Sequence, residues 1–186
     1  MPYTAFDRFV AWCRFRAARP HIRAGSRLCD IGCGLDARFL RYLKGHIRLG
    51  LGLDYQPSPR PASGPVVVLT DITNGFPVRS GSFDHAAMLA VLEHLQRPEA
   101  VLREAHRILA PGGSLVMTWP NAAVDPILEV LHRIRVVSDE MESEQHEQRI
   151  SLERLETMLR EIGFERLVHR TFELGLNNLL VAHKSA

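Results

Sequence analysis

The 186-residue sequence has no uninterrupted run of about eighteen apolar residues, the length a helix needs to cross a bilayer. Its first twenty residues lack the apolar stretch of a secretory leader and carry Asp7, Arg8, Arg14 and Arg16 instead. Cysteine is scarce: Cys13, Cys29 and Cys33 are the three present, with no C-x-x-C pair. That spacing offers neither a disulfide framework nor a four-ligand zinc site, so no metal is expected. Free thiols fit a reducing compartment, and the expected location is the cytoplasm. Charge of one sign is lacking too. Lys and Arg number 23 against 21 Asp and Glu, a net of +2, too mild to demand nucleic acid or an anionic membrane as partner. Repeats and low-complexity tracts are absent. The remaining balance, 46% apolar and 24% charged, is that of a globular chain whose length suits one domain over 1–186.

Apolar periodicity and chain breakers predict the elements. Residues 4–19 form an amphipathic helix with Phe6, Phe9, Val10, Cys13 and Ala17 on one face, stopped by Pro20. Strands follow at 27–31, 48–54, 66–69, 83–89 and 114–119, with helices at 37–44 and 98–109 between them. The proline-rich stretch 55–64 reads as a connection, and Pro111-Gly112-Gly113 as a break before the fifth strand. Residues 122–149 are an insertion that opens as a helix over 125–136 and becomes acidic through Asp139, Glu140, Glu142, Glu144 and Glu147. Ser151 caps a further helix closed by Gly163, and two strands at 166–172 and 179–183 end the chain. Alternating strands and helices imply a doubly wound α/β fold with a mostly parallel, seven-stranded sheet. The last link is too short for a parallel crossover, so the terminal pair is an antiparallel hairpin.

In such sheets ligands bind outside the carboxyl ends of the strands. The first strand delivers Asp30 and the turn Gly32-Cys33-Gly34, whose glycines let a backbone approach a ligand closely. The second delivers Asp54 and Tyr55; an acid in that position suits the two hydroxyls of a ribose. The third delivers Asp71 and Ile72, an acceptor and a ring-face contact for adenine, and the fourth Met88 and Leu89 as apolar cleft lining. Gly32-Cys33-Gly34-Leu35-Asp36-Ala37 fits G-x-G-x-x-A, which also serves nicotinamide dinucleotides. Charge separates the two: Asp30 and Asp36 would repel a pyrophosphate, whereas a sulfonium cofactor is positive.

Four stretches in order resemble the class I S-adenosylmethionine-dependent methyltransferases of the small type 11 kind. They are Leu28-Cys29-Asp30-Ile31-Gly32-Cys33-Gly34, then Gly52-Leu53-Asp54, then Phe76-Pro77 with Gly81-Ser82-Phe83-Asp84 and Val91-Leu92-Glu93-His94-Leu95, and finally Leu109-Ala110-Pro111-Gly112-Gly113. One departure stands out: Leu35, Asp36 and Ala37 occupy the place where the family often has a third glycine. The resemblance implies a Rossmann-like fold, S-adenosylmethionine as cofactor, and in-line methyl transfer to a small-molecule or carrier-linked acceptor. Such a reaction needs alignment first, and a base only for an acceptor that loses a proton. His94 after the fourth strand and His146 in the acidic connection are the candidates. The acceptor pocket is expected from the amino-terminal helix, from Trp119, Pro120 and Asn121, and from the insertion. The arginines of the first segment either attract an anionic acceptor or form a solvated face. Alternatives are a nicotinamide oxidoreductase and a non-catalytic cofactor-binding or interaction module. Nucleic acid is not expected as substrate, because Asp84-His85-Ala86-Ala87 is not the element that base-methylating enzymes carry there.

Overall fold

Seven strands form one sheet in the order β3-β2-β1-β4-β5-β7-β6 in the computed structural model, which describes residues 4–34, 36–55, 66–121 and 150–186. They are β1 Arg27–Ile31, β2 Leu49–Asp54, β3 Val66–Leu69, β4 Phe83–Leu89, β5 Leu109–Pro120, β6 Phe164–Phe172 and β7 Asn177–Lys184. The helices are α1 Ala5–Ala18, α2 Arg38–Tyr42, α3 Pro98–Ile108 and α4 Leu152–Ile162. The first five strands run parallel, and β7 lies antiparallel between β5 and β6. A single short turn, Glu173–Gly175, links β6 to β7; it cannot cross the sheet, so the chain must reverse. The expected segments at 125–136 and 139–147, and the expected connection 55–64 apart from Tyr55, lie outside the described residues.

Each face of the sheet closes its own core, as a parallel sheet requires. On one, Cys29, Ile31, Leu53, Ala86, Met88, Leu115 and Met117 meet Val101, Leu102, Ala105 and Ile108 of α3 and Leu155 and Leu159 of α4. On the other, Leu28, Ala87, Val116, Leu179 and Val181 meet Ala18 of α1 and Phe39 and Leu40 of α2. The i, i+3, i+4 spacing of the apolar residues in α3 and α4 matches those buried stripes. Ser151 caps α4 by accepting the Arg154 N–H at 3.3 Å.

The helix at the start differs from its sequence pattern. Thr4 and Asp7 form a reciprocal capping box, with Thr4 N–H donating to Asp7 Oδ2 at 2.7 Å and Asp7 N–H to Thr4 Oγ1 at 3.1 Å. The residues buried along α1 are Asp7 and Ala18, while Phe9 is 57% and Trp12 43% exposed. At roughly 100° per residue, the expected apolar face is thus turned about 100° away from the sheet. Phe9 and Trp12 stack on the outside with ring centroids 6.1 Å apart, and the Arg16 guanidinium lies 5.4 Å over the Trp12 ring. β5 also departs from expectation: it starts at Leu109, which pairs with Phe83, and a register shift before His85↔Ser114 absorbs Pro111-Gly112-Gly113.

At the amino ends of the strands a polar lock ties the sheet together. Arg27 donates to Asp84 through its backbone N–H at 2.8 Å and its guanidinium at 2.7 Å. Buried His85 accepts the Arg23 N–H at Nε2 (3.1 Å) and meets Ser114 Oγ at Nδ1 (2.8 Å). This end is opposite the strand ends that carry the candidate site.

Candidate functional site

The site is built where β1 stops. Pairing of Ile31 with Leu53 aligns the carboxyl ends of β1 and β2, and both Gly32 N–H (2.8 Å) and Cys33 N–H (3.2 Å) donate to the Leu53 carbonyl. The turn continues with Gly34 N–H donating to Asp54 Oδ2 at 2.8 Å. Asp54, 8% exposed, is therefore fixed against the glycine turn by a charge-assisted bond. Gly32 (φ 70°) admits no side chain: a Cβ there would stand 2.5 Å from Val91 Cγ2. Gly34 has the same φ, and its missing Cβ would meet nothing within 4 Å, so the turn shows bare backbone to open space. The chain then passes through Ala37 at φ 43°, ψ 50° before α2 begins. This left-handed position falls where a glycine is usual in the type 11 pattern, and an alanine holds it here.

Asp30, at the end of β1, is 2% exposed, and its Oδ2 is buried without a hydrogen-bond partner. Burial first, and the Asp54 carboxylate second, push its carboxyl up to about 8. Two acids beside a bare-backbone turn make a pocket for positive charge, and a pyrophosphate would be repelled there. Cys33 is half-buried, its thiol donating to the Gly34 carbonyl at 3.5 Å; burial pushes that thiol up, so it is not a reactive thiolate.

The other expected site residues are distributed less evenly. Asp71 is exposed and caps its own turn: Oδ1 accepts from Thr73 N–H (2.9 Å) and Thr73 Oγ1 (2.6 Å), and Oδ2 from Asn74 Nδ2 (2.7 Å). Those bonds, the hydroxyl first, hold its carboxyl below the usual range. A carboxylate has about four acceptor positions, so one remains for another donor. Ile72 is half-buried against the larger core, and Tyr55 is 69% exposed beside Asp54. The Met88 side chain is fully enclosed in the core on the α3 side, because strand alternation sends it opposite to half-buried Leu89. Trp119 is likewise a core residue, tilted over His169 at 6.2 Å, while Asn121 holds the β6–β7 turn through Nδ2 to the Gly175 carbonyl at 3.1 Å. His94 is exposed on the short turn Leu92–His94 after β4; His146 lies outside the described residues. Val91, the wall behind Gly32, was not legible in the sequence, since an apolar residue after a strand has no distinguishing pattern.

Residues 5–169 match the model of a methyltransferase domain family. The chain belongs to that family. Its fold is shared by an S-adenosylmethionine-dependent methyltransferase of Archaeoglobus fulgidus (17% identity, TM-score 0.73, 95% of this chain and 94% of that one). One of Thermotoga maritima is similar as well, at 22% identity and TM-score 0.70 over 96% and 90% of the two chains. A curated relative, an uncharacterized 37.1 kDa protein in transposon TN4556 of Streptomyces fradiae, is 35% identical over 122 residues. That match spans 58% of this chain and 35% of the relative, about a third of its length. The methyltransferase domain therefore takes S-adenosylmethionine, and membership decides against the nicotinamide alternative. Its residues fit that cofactor: the orphaned Asp30 oxygen awaits a donor, and the Gly34 backbone is uncovered. Among the described residues no helix is long and apolar enough to cross a membrane.

Proposed function

We propose that this methyltransferase transfers a methyl group to a small-molecule or carrier-linked acceptor, with the β1–β2 strand ends as its cofactor cradle. The observation that carries the assignment is the paired-acid turn, in which Asp54 grips Gly34 N–H while buried Asp30 keeps an unpartnered oxygen. In this reading Asp54 receives the ribose hydroxyls, and Asp30 receives the ammonium of the methionine part. Gly32 and Gly34 let the backbone close on the ligand, with Cys33 between them as a spacer. The remaining acceptor position of Asp71 and the side chain of Ile72 serve the adenine, Tyr55 covers the sugar, and Leu89 lines the cleft floor. Met88 supports that floor from the opposite core.

When bound, the cofactor supplies a methyl carbon on a sulfonium: an acceptor lone pair forms the new bond while the C–S electron pair leaves on sulfur as a thioether. The chain's part is to align the acceptor and to shield the reacting atoms from water. An acceptor that must lose a proton would hand it to His94, or to His146.

Calorimetric titration with S-adenosylmethionine, S-adenosylhomocysteine and NAD tests the proposal. Both sulfur compounds should bind, and Asp54→Ala should weaken them by about 1–3 kcal/mol, the range for charged hydrogen bonds. Preferential NAD binding, or an unchanged affinity of Asp54→Ala, would overturn it. Binding of the homocysteine form with no turnover on any metabolite pool would instead mark a binding module.

A further inference from the structure

The rotation of α1 has a chemical consequence. Asp7, Arg14 and Ala18 fall within about 40° of one another on the helix, at roughly 100° per residue. Ala18 is fully buried against the sheet, so that stripe faces inward. A helix offering Phe9 and Trp12 to solvent while burying an acid and an arginine nitrogen on the stripe of Ala18 breaks the ordinary burial rule, as functional sites do. Each of the two keeps one unmatched atom. Asp7 is 6% exposed and its Oδ1 has no hydrogen-bond partner; the Arg14 Nε is buried and has none either.

The sheet opposite carries matching orphans. Thr118↔Leu179 and Pro120↔Asn177 pairing places Thr118 and Asn177 on the face covered by α1. Thr118 is 0% exposed with Oγ1 unpartnered; Asn177 is 4% exposed with Oδ1 unpartnered, its Nδ2 donating to the Glu173 carboxylate. The direction of α1 follows from two contacts. Cys13 lies close enough to Glu173, in the turn at the carboxyl edge, to feel its charge, and Arg23, beyond the helix, bonds His85 near the amino edge. Asp7 and Arg14 therefore lie toward the carboxyl edge, with about 10 Å of helix axis between them. β5 stands two strands from β1, about 10 Å at 4.8 Å per strand, so this set borders the cradle of Asp30 without sharing its residues.

Four buried polar atoms without partners are costly unless a ligand satisfies them. Asp7 Oδ1 and Asn177 Oδ1 require donors, Arg14 Nε requires an acceptor, and Thr118 serves either way. We infer that the unmatched polar groups of α1 and of the β5–β7 ends form the methyl-acceptor site, and that it takes a small amphoteric molecule with its amine on Asp7 and its acidic group on Arg14. This rests on the methyltransferase reading and adds the substrate class.

The test uses the intact protein saturated with S-adenosylhomocysteine. The probes are ω-amino acids from β-alanine to 6-aminohexanoate, each beside the alkylamine and the carboxylate of equal length. At least one ω-amino acid should raise the melting temperature and bind by calorimetry, while the single-charge analogues do not. Asp7→Asn keeps an oxygen for the Thr4 cap, and Arg14→Met keeps the stem; each should weaken the probe roughly tenfold or more, the scale of a lost charged bond. Affinity for S-adenosylhomocysteine should stay within about twofold in both. Thr118→Val, nearly isosteric, is the variant least exposed to misfolding and should weaken the probe while raising the melting temperature without it. The inference is overturned if no ω-amino acid stabilises the wild-type complex, if single-charge analogues bind equally well, or if Asp7→Asn leaves probe affinity unchanged. Failure of S-adenosylhomocysteine itself to bind would sink the functional reading instead, and this inference with it.

Discussion

Replacing Asp30 by asparagine should move stability and cofactor affinity in opposite directions. The Asp30 carboxyl is raised to about 8, chiefly by burial and then by Asp54, against an ordinary value near 3.9. Its folded-state value lies above the unfolded one, so the stability it contributes is present below about pH 4 and is lost as pH rises toward 8. At pH 7.5 the difference is about 3.6 units, a ceiling near 5 kcal/mol at 1.36 kcal/mol per unit. Asparagine removes the charge but places an amide in the same tight space, returning about 1–3 kcal/mol as an incompletely bonded polar group. The net gain for the ligand-free protein is then at most about 2–4 kcal/mol, or roughly 4–16 °C for a domain of this size. By pH 4.5 the charge-related part should fall below about 1 kcal/mol, so the amide cost prevails and the variant should be no more stable than the wild type. Cofactor affinity should fall about tenfold or more, because a cation loses its counter-charge. Thermal unfolding of both proteins from pH 4.5 to 8.5 measures the first effect, and calorimetry measures the second. Repeating the titration in two buffers of different ionisation enthalpy should show protons released by the wild type near neutral pH and none by the variant. Parallel pH profiles together with equal affinities would refute the reasoning.

Three other outcomes follow from the same geometry. His85 is pulled down to about 4, mainly by burial and then by Arg23, so it stabilises the neutral-pH fold and loses that contribution as pH falls from about 6.5 to 4. Acid titration of unfolding free energy should show a loss of about 2–3 kcal/mol over that range, absent in His85→Gln. Gly32→Ala should cost about 3 kcal/mol in chemical denaturation, from a Cβ 2.5 Å from Val91 added to a left-handed backbone. Adding Val91→Ala should recover the steric part alone, so full recovery would contradict the conformational share of that cost.

Much of the architecture was legible because its signals are local. The strand bounds of β1, β3 and β4 follow from short apolar runs between breakers, and the ends of α4 from Ser151 and Gly163. The glycine turn and the acids that close β1 and β2 could be read from spacing, since a turn at a strand end needs glycine whatever surrounds it. Where β5 begins could not be read, because Pro111-Gly112-Gly113 looks like a break until its partner strand absorbs the irregularity.

Which side of a residue meets what was decided only by the tertiary fold. Met88 and Leu89 look alike in sequence, yet the pleat sends one into the α3 core and leaves the other half-buried on the α2 face. Asp71 looks like Asp54 at a strand end, but one caps its own turn while the other reaches across to Gly34. The rotation of α1 goes furthest against its pattern: apolar spacing favours burying Phe6, Phe9 and Cys13, and packing against the sheet buries Asp7 instead. Sequence periodicity records each residue's own preference for water. Burial is settled by the whole surface a helix must cover, and a polar residue can be held inside where a ligand gives it a partner.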